Sequence, residues 1–291
     1  MSVISVEHLS FAYPPLLPEG QPFPVLRDVV LSLDKGEFLA LMGPTGGGKS
    51  TLCMALNGLV PQTTGGVFGG RVMVLGHDTR RTPVAELATH VAMVYQDPES
   101  QLFNTTVEDE VAFGPENLGV DPREIVERVD WALRLVQMSA HRRRSPAQLS
   151  GGEKQRVAIA ASLAMLPEVL ILDEPTSSLD PVGQHEVFYV IEQLCRARQM
   201  SILMVSHDAE HIAEFADRVA VLWQGHIARV DSPLAVFEDE ELLEQAGLDA
   251  PQVTEVAAGL NRRYGTRFHF ARLDSAEQQL VQDLQEKAPR L

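Results

Sequence analysis

FLALMGPTGGGKSTLCMAL, residues 38–56, is the most informative stretch of this chain. Its apolar start runs directly into GPTGGGKS, which matches the pattern G-x-x-x-x-G-K-[ST] in full. The residues after the loop have the spacing of a helix, so the stretch predicts a strand, a loop and a helix in succession. Glycines let backbone N–H groups surround a phosphate, and the positive end of the helix points to the same place. We therefore predict a phosphate-binding loop, and a chance glycine-rich turn is a poor alternative.

This loop provides the first candidate site residues. We expect the Lys49 ammonium to reach the β- and γ-phosphates of a nucleotide, the Ser50 hydroxyl to bind Mg²⁺, and Thr51 to contact phosphate. Upstream, Tyr13 offers a flat ring on which adenine can stack, although a tyrosine packed within a hairpin explains the residue almost as well. The residues expected to contact the nucleotide are Tyr13, Gly43, Pro44, Thr45, Gly46, Gly47, Gly48, Lys49, Ser50 and Thr51.

Two carboxylates end the apolar run in VLILDEP, residues 169–175. A continuous apolar strand of this kind is typical of a parallel sheet that is covered on both faces. Asp173 is placed to hold Mg²⁺ through water, and Glu174 is placed to polarise an attacking water as a general base. Two solvated acids at a strand end are the alternative, which is the weaker one beside a complete phosphate loop.

Two other polar residues also follow apolar strand patterns. His207 comes after SILMVS and could orient the attacking water, and Gln96 comes after VAMVY with an amide suited to Mg²⁺ and water. His211 lies four residues beyond His207, so a metal-binding pair is an alternative. We disfavour it because His207 should lie at the strand end and His211 on the next helix. The predicted catalytic residues are Glu174, His207, Lys49 and Gln96, and the predicted magnesium ligands are Ser50, Gln96 and Asp173.

A second glycine-containing loop, LSGGEKQRV at residues 149–157, has no phosphate-binding lysine in the usual place. Ser150 is the expected N-cap of a helix, and Glu153 completes a capping box. Because the loop around Lys49 already serves this chain's own nucleotide, we expect the second loop to serve the nucleotide of another subunit in a head-to-tail pair. Ser150, Gly151 and Gly152 would make those contacts, and Asp180 of SSLDP (177–181) would report across the interface.

The remaining patterns alternate between strands and helices, which predicts an α/β layered domain. After about residue 234 the chain becomes an acidic, helical tail. We therefore predict one domain over residues 1–234 and an accessory region over residues 235–291. The predicted elements are strands at 3–9, 25–33, 37–42, 169–173 and 201–206, helices at 122–137, 150–165, 183–198, 208–216, 237–245, 251–263 and 274–287, and a hairpin at 218–230.

Composition limits the function classes. The formal net charge of −16 argues against a general DNA- or RNA-binding surface, but a nest of amides and one lysine can still bind ATP. The basic run at residues 142–144 is expected to be a solvated connection. The opening MSVISVEHLS contains no secretory signal pattern, and Cys53 and Cys195 are expected to be buried thiols of a reduced, intracellular protein.

Taken in order, these motifs resemble an ATP-binding cassette (ABC) ATPase from about Val3 to Val230. Several of the motifs are weak alone, but the combination is highly specific. The resemblance implies a P-loop nucleotide-binding domain with an α/β core, an antiparallel β subdomain and a helical subdomain that carries the second glycine loop. It also implies two ATPases that close around ATP and Mg²⁺ and drive membrane partners.

The segment YQDPESQLFNTTVEDEVAFGPENLG, residues 95–119, narrows the resemblance to the energy-coupling factor (ECF) transporter ATPases. That family implies a second ATPase, identical or paralogous, together with a transmembrane energy-coupling component and a small substrate-capture membrane protein. Its substrates are vitamins or, in one branch, cobalt or nickel ions. Its helical tail joins the two ATPases, which implies the same role for residues 237–287, and its place is the cytoplasmic face of the cell membrane, as a peripheral subunit.

Three other readings remain open. The ATPase of another ABC importer would share every motor residue and differ in its tail and partner. A soluble ABC ATPase of DNA repair or translation usually has two cassettes or a long coiled coil, and this sequence shows neither pattern. A nucleotide-binding structural protein without turnover would not need both Glu174 and His207.

Overall fold

The computed structural model describes residues 2–15, 17, 19–177, 179–198 and 200–287. The strands are β1 (Ser2–Tyr13), β2 (Phe23–Asp34), β3 (Phe38–Met42), β4 (Val67–Val74), β5 (His77–Asp78), β6 (Val91–Val94), β7 (Val169–Asp173), β8 (Ser201–Val205), β9 (Arg218–Trp223) and β10 (His226–Asp231). The helices are α1 (Lys49–Leu56), α2 (Leu59–Gln62), α3 (Val84–Leu87), α4 (Val107–Asn117), α5 (Pro122–Leu135), α6 (Gly151–Ala164), α7 (Pro181–Arg198), α8 (Ala209–Phe215), α9 (Pro233–Phe237), α10 (Glu240–Ala246), α11 (Gln252–Tyr264) and α12 (Leu273–Lys287).

A six-stranded sheet in the order β10-β9-β3-β8-β7-β6 forms the centre of the molecule. The strands from β9 to β6 run parallel to their neighbours, and β10 pairs antiparallel with β9. Every residue of β3, β7 and β8 is buried, as expected for strands that are covered on both faces. The carboxyl ends of these three strands therefore meet at one edge, where their loops can form a site.

The second sheet has the order β2-β1-β4-β5 and is antiparallel, which confirms the predicted β subdomain. Strands β1 and β2 form a hairpin in which Tyr13 lies opposite Phe23. Strand β4 was not predicted, because Gly69 and Gly70 interrupt its apolar alternation. At this point the ladder between β1 and β4 changes register between Glu7 and Ser10.

The helical subdomain packs α4, α5 and α6 together over the sheet. The predicted capping box of α6 forms at Ser150, and Asp121 caps α5 by accepting a hydrogen bond from the Arg123 N–H. Residue Arg142 departs from the expected solvated run, because its guanidinium donates to Glu108 at 2.6 Å and also bonds to Asp130. These ion pairs tie the loop before α6 to helices α4 and α5.

The tail consists of two packed parts. Helices α9 and α10 bury Phe237 and Leu243 in a cluster with Val219 of β9 and Ile212 of α8. Farther on, α11 and α12 enclose a smaller cluster made by Ala257, Phe268, Phe270 and Ala276. The predicted helix 237–245 is therefore wrong in detail, because Asp239 caps α10 and separates it from α9.

Other boundaries differ by a few residues. Helix α1 ends at Leu56, and Gly58 with a φ of 83° separates it from α2. Helix α5 ends at Leu135, and Gln137 beyond it has a φ of 58°. The turn between β9 and β10 forms at Gln224 and Gly225, as predicted. None of the described helices has both the length and the apolar composition needed to cross a membrane.

Candidate active site

The phosphate-binding loop connects β3 to α1 at the carboxyl edge of the central sheet. Gly43 has a φ of 153° and lies so close to β9 that an added Cβ atom would be 2.2 Å from the Leu222 carbonyl oxygen. Gly48 is the left-handed N-cap of α1, with a φ of 101°. The predicted contacts Pro44 and Gly47 are half-buried, whereas Thr45 and Gly46 are exposed at the tip. The backbone therefore forms a tight turn, closed by the bond from the Gly47 N–H to the Pro44 carbonyl oxygen at 3.0 Å, directly before the N-terminus of α1.

Lys49 is buried at the inside of this loop, with 5% of its surface exposed. Its Nζ atom donates to the carbonyl oxygens of Gly43 at 2.8 Å and Pro44 at 3.0 Å. Burial lowers the pKa of Lys49, and the carboxylates of Glu174 and Asp173 oppose that change. The loop thus holds a cation whose charge is only partly balanced by the protein.

Asp173 ends β7 beside the first turn of α1 and is buried. Burial raises the pKa of Asp173, while a hydrogen bond from the Ser50 hydroxyl and the charge of Lys49 act in the opposite direction. A hydroxyl oxygen and a carboxylate oxygen therefore lie next to each other at the loop. Oxygen ligands of this kind fit Mg²⁺, so Ser50 and Asp173 match the donor set that the ion requires.

Two of the predicted catalytic side chains, Gln96 and His207, converge on the carboxylate of a third, Glu174. Gln96 donates through Nε2 to Glu174 Oε2 at 3.0 Å, and His207 Nε2 lies 3.1 Å from Glu174 Oε1. The same His207 atom lies 3.3 Å from Lys49 Nζ, which connects this group to the phosphate loop. Glu174 itself has a φ of 50°, an unusual value for a residue with a side chain. Its N–H donates to the Val205 carbonyl oxygen at 3.0 Å, so β8 holds the strained residue in place.

Tyr13 lies at the mouth of the loop. Its hydroxyl is 3.1 Å from Thr51 Oγ1, and its ring meets Phe11 edge-on with the centroids 4.9 Å apart. The packed arrangement that we considered for Tyr13 is therefore present within the β1–β2 hairpin. Adenine stacking on its partly exposed face stays a prediction.

The second glycine loop lies at the start of α6. Ser150 Oγ accepts the Glu153 N–H at 3.3 Å, and Glu153 Oε2 accepts the Ser150 N–H at 2.8 Å. Gly152 packs toward Leu179, and the next residue, Asp180, accepts the Gly183 N–H at 2.8 Å and so caps α7. Within the described part of the chain, no hydrogen bond or ion pair joins residues 150–152 to residues 43–51.

The two histidines of the disfavoured metal pair have different partners. His207 faces Glu174 and Lys49, whereas His211 lies on α8 and bonds through Nδ1 to Asp208 Oδ2 at 2.6 Å. Among the described residues, no cluster of three or more histidine, cysteine or acidic side chains has the arrangement of a metal site. The positions of the two rings favour separate roles for the two histidines.

Sequence reasoning missed two groups near the site. Asp208 caps α8 through the His211 N–H, and Gln184 of α7 donates to the Thr176 carbonyl oxygen at 3.2 Å. The cap could have been found, because an acidic residue between a strand and a helix is a common start signal. The bond from Gln184 to Thr176 could not be predicted from the sequence, because it depends on how α7 packs against the loop that follows Glu174.

Comparison with known proteins agrees with this geometry. The family model described as ABC transporter matches residues 26–177. A putative ABC transporter ATP-binding protein of Pyrococcus abyssi is 46% identical over 92% of this chain and 94% of its own length. The energy-coupling factor transporter ATP-binding protein EcfA1 of Caldanaerobacter subterraneus subsp. tengcongensis is 40% identical over 89% of this chain and 91% of its own.

Two solved structures have the same fold over most of their length. CbiO1 of Clostridium perfringens, part of the ABC transporter complex CbiONQ, is 29% identical with a TM-score of 0.72, over 91% of this chain and 96% of that protein. The ATP-binding cassette MJ0796, solved as a dimer in a post-hydrolysis state with ADP and phosphate, is 25% identical with a TM-score of 0.70, over 79% of this chain and 98% of that protein.

Proposed function

The chain belongs to the ABC transporter ATPase family, whose members couple ATP hydrolysis to transport, and from that premise we propose that it is the energy-coupling ATPase of an ECF-type importer. The observation that carries the catalytic part is the convergence of Gln96 and His207 on the Glu174 carboxylate, beside Lys49. The subfamily rests on residues 95–119 and on the similarity to EcfA1 and CbiO1.

Hydrolysis would proceed by attack of water on the γ-phosphorus of ATP. Glu174 accepts the water proton as the new P–O bond forms, and the bond from the γ-phosphorus to the bridging oxygen breaks to release ADP and phosphate. Gln96 and His207, which already bond to the two Glu174 oxygens, orient the carboxylate for this step. Positioning and charge neutralisation supply most of the rate acceleration in such reactions.

Lys49, Ser50 and Thr51 would contact the phosphates, together with the backbone of residues 43–48. Ser50, Asp173 and Gln96 would hold Mg²⁺, of which the first two are already joined by a hydrogen bond. The ion would supply positive charge that neutralises the phosphates during hydrolysis. Tyr13 would stack on the adenine.

A second ATPase subunit would complete the site. In the head-to-tail pair that we propose, Ser150, Gly151 and Gly152 of one subunit contact the γ-phosphate held by the other, and Asp180 lies at the same interface. Exposure of Ser150 and Gly151 and the dimeric state of MJ0796 support this arrangement. The loop has no lysine at the position that Lys49 occupies in the phosphate loop, and its Lys154 pairs with Glu99, which fits a site completed by the partner's phosphate loop.

The membrane partners would dock on the helical subdomain near Gln96 and Gln101. Phe103 and Phe113 meet edge-on there, with centroids 4.8 Å apart, and they are 66% and 41% exposed. Two exposed aromatic rings fit burial by an apolar protein surface. We propose a transmembrane energy-coupling component at this surface and a substrate-capture protein beyond it, with the ATPase at the cytoplasmic face of the membrane and a vitamin or a transition-metal ion as the transported substrate.

The accessory region, residues 235–291, would contribute to pairing of the two ATPases. On α12, Leu273, Val281 and Leu284 fall on one side of the helix and are 75%, 44% and 69% exposed. Truncation at Pro233 would also remove the buried Phe237, so surface substitutions are the cleaner test. We expect Leu273→Ser with Leu284→Ser to weaken nucleotide-free pairing in light scattering, and Val30→Ser, also at an exposed site, to leave it unchanged.

The decisive experiment is purification of the tagged full chain in mild detergent, with mass spectrometry of the bound proteins. Recovery of a small membrane protein with a larger transmembrane partner would support the ECF assignment. The variant Phe103→Ser with Phe113→Ser should lose these partners and keep ATP binding. Recovery of ordinary paired permeases would retain the transport ATPase and reject the subfamily, and recovery of soluble partners alone would contradict the importer.

A further inference from the structure

The short connection between β8 and α8 carries His207, and Asp208 organises it. The Asp208 N–H donates to Ser206 Oγ at 3.1 Å. Its carboxylate accepts twice from one residue: Oδ1 accepts the His211 N–H at 3.1 Å, and Oδ2 lies 2.6 Å from His211 Nδ1. Because Asp208 follows His207 directly, the contacts that fix Asp208 also limit the positions open to the His207 backbone.

His211 is itself held against α7 by ring stacking. Its imidazole lies parallel to the ring of Phe188, with an interplanar angle of 5° and centroids 4.5 Å apart. Phe188 is fully buried and also stacks with Phe215 at 5.6 Å. The orientation of the imidazole is therefore determined by the α7–α8 interface and not only by its bond to Asp208.

Helix α7 is linked in turn to the loop that carries Glu174. Gln184 Nε2 donates to the Thr176 carbonyl oxygen at 3.2 Å, and Ser177 Oγ donates to the Glu174 carbonyl oxygen at 3.1 Å. These contacts form a chain that starts and ends at Glu174. It runs from Glu174 through α7 to His211 and Asp208, and returns through His207 to the Glu174 carboxylate.

We propose that His211 is a positioning residue for ATP hydrolysis: by joining Asp208 to α7, it holds His207 against the Glu174 carboxylate. The role depends on the assignment of Glu174 and His207 made above, but not on the identity of the membrane partners. A leucine or phenylalanine could fill the same space against Phe188, but neither could hold the Asp208 carboxylate. The imidazole therefore has a polar task as well as a packing one.

The charges around His211 favour its protonated form. The hydrogen bond to Asp208 raises the pKa of His211 above its ordinary value, burial opposes the rise, and Glu214 and Glu210 of the same helix add to it. Burial would raise the pKa of Asp208, but the bonds from His211 outweigh it and leave that pKa lowered. From the other elements, His185 of α7 lies with its ring 5.9 Å away, and Arg272 donates to the Ala213 carbonyl oxygen.

These directions set the pH window of the pair. Because the pKa of His211 is raised, its interaction with Asp208 contributes its full stabilisation below pH 6.5, the ordinary histidine pKa. That stabilisation is lost as the pH rises through the pKa of His211 in the folded protein. Because the pKa of Asp208 is lowered, the same interaction is also lost in acid, as the pH falls through the pKa of Asp208 in the folded protein. The contact between His211 and Asp208, and with it the positioning of His207, should therefore weaken as the pH rises through the raised pKa of His211.

The test compares His211→Leu and His211→Gln with wild type in full-length protein, measuring kcat and KM for ATP from mildly acid to alkaline pH. His211→Leu should lower kcat roughly tenfold near neutral pH with little change in KM, because misplacement of a catalytic group acts on turnover. His211→Gln keeps a neutral donor, so it should recover part of kcat and lose the fall in kcat at higher pH that we expect for wild type. His185→Gln, which removes a neighbouring imidazole that has no bond to Asp208, is the matched control and should keep the wild-type profile.

Two results would overturn the proposal. One is an unchanged kcat and pH profile in His211→Leu. The other is a lower kcat with a lower Tm but a profile of wild-type shape, which would mean that His211 only packs. If His211→Leu fails to fold, NMR titration of the imidazole carbons in wild type tests the proposal instead. A His211 pKa at or below 6.5 would contradict the bond to Asp208 on which the positioning role depends. The two His211 variants keep every other ionisable side chain of wild type, so differences between their profiles and that of wild type isolate His211.

Discussion

The two glycine loops of this protein each precede a helix, but they differ in the side chains that surround them. Both stand at the N-terminus of a helix, α1 in one case and α6 in the other. The loop at residues 43–51 has its cation, its hydroxyl and a buried carboxylate within bonding distance in the same chain. The loop at residues 149–157 has its capping box, and its charged side chains pair with residues outside the phosphate loop: Lys154 with Glu99, Glu153 with His141 and Arg156 with Glu186. The difference supports our proposal that the first loop binds ATP within one subunit and that the second contacts the ATP held by a partner subunit.

The largest effect is expected where the first loop meets its catalytic carboxylate. Glu174→Gln keeps the hydrogen-bonding shape but removes the base, so turnover should fall roughly 10²–10⁴-fold while ATP binding persists. The variant should accumulate as a closed dimer with ATP, which size-exclusion chromatography would detect. Near-normal phosphate release by this variant would remove Glu174 from the role of base.

A mixing experiment tests the second loop directly. Ser150→Arg blocks the loop that faces the partner, and Lys49→Ala disables the loop that binds the chain's own ATP, so each variant alone should be close to inactive. If identical chains pair head to tail, a mixed dimer has one intact site. An equal mixture should then regain about a quarter of the wild-type activity. A mixture no more active than its components would contradict completion of the site in trans.

A smaller effect is expected at the mouth of the first loop. Tyr13→Ala removes the ring proposed to stack on adenine and should weaken ATP binding by roughly tenfold, as loss of one base–aromatic stack does. Tyr13→Phe loses only the contact with Thr51 and should bind ATP almost normally. Binding of tripolyphosphate, which has no base, is the control. Equal weakening of both ligands by Tyr13→Ala would mean that the ring supports the loop instead of the base.

The smallest effect concerns stability. Because burial raises the pKa of Asp173, its charged form destabilises the nucleotide-free fold above that pKa, and the fold gains stability as the pH falls through it. Asp173→Asn should therefore raise the free energy of unfolding by about 1 kcal/mol, or the Tm by about 2 °C. The same change should abolish the extra stabilisation that Mg²⁺ adds in the presence of ATP. A lower Tm without nucleotide would show that the carboxylate stabilises the fold.

How much of this could be predicted from the sequence depended on the range of the contacts. The strand, loop and helix around residues 38–56 are local and were predicted. The contact between Glu174 and His207 agrees with parallel strands β7 and β8 that end at one edge. Strand β4 was missed because two glycines hide its alternation. The stacking of His211 on Phe188 could not be predicted, since it joins two helices whose packing angle no short motif encodes.

The capping box of α6 has a consequence for substitution at Ser150. As a cap, the hydroxyl oxygen uses a lone pair to accept the Glu153 N–H, and its own proton stays available to a partner's phosphate. An aspartate would serve the helix equally well with its lone pairs, but it would present a negative charge and no proton to that phosphate. Selection for a stable helix alone would therefore accept Ser150→Asp, whereas selection for turnover would reject it. The Ser150 hydroxyl oxygen is what the helix cap needs, and the hydroxyl hydrogen is what the proposed contact with a partner's phosphate needs.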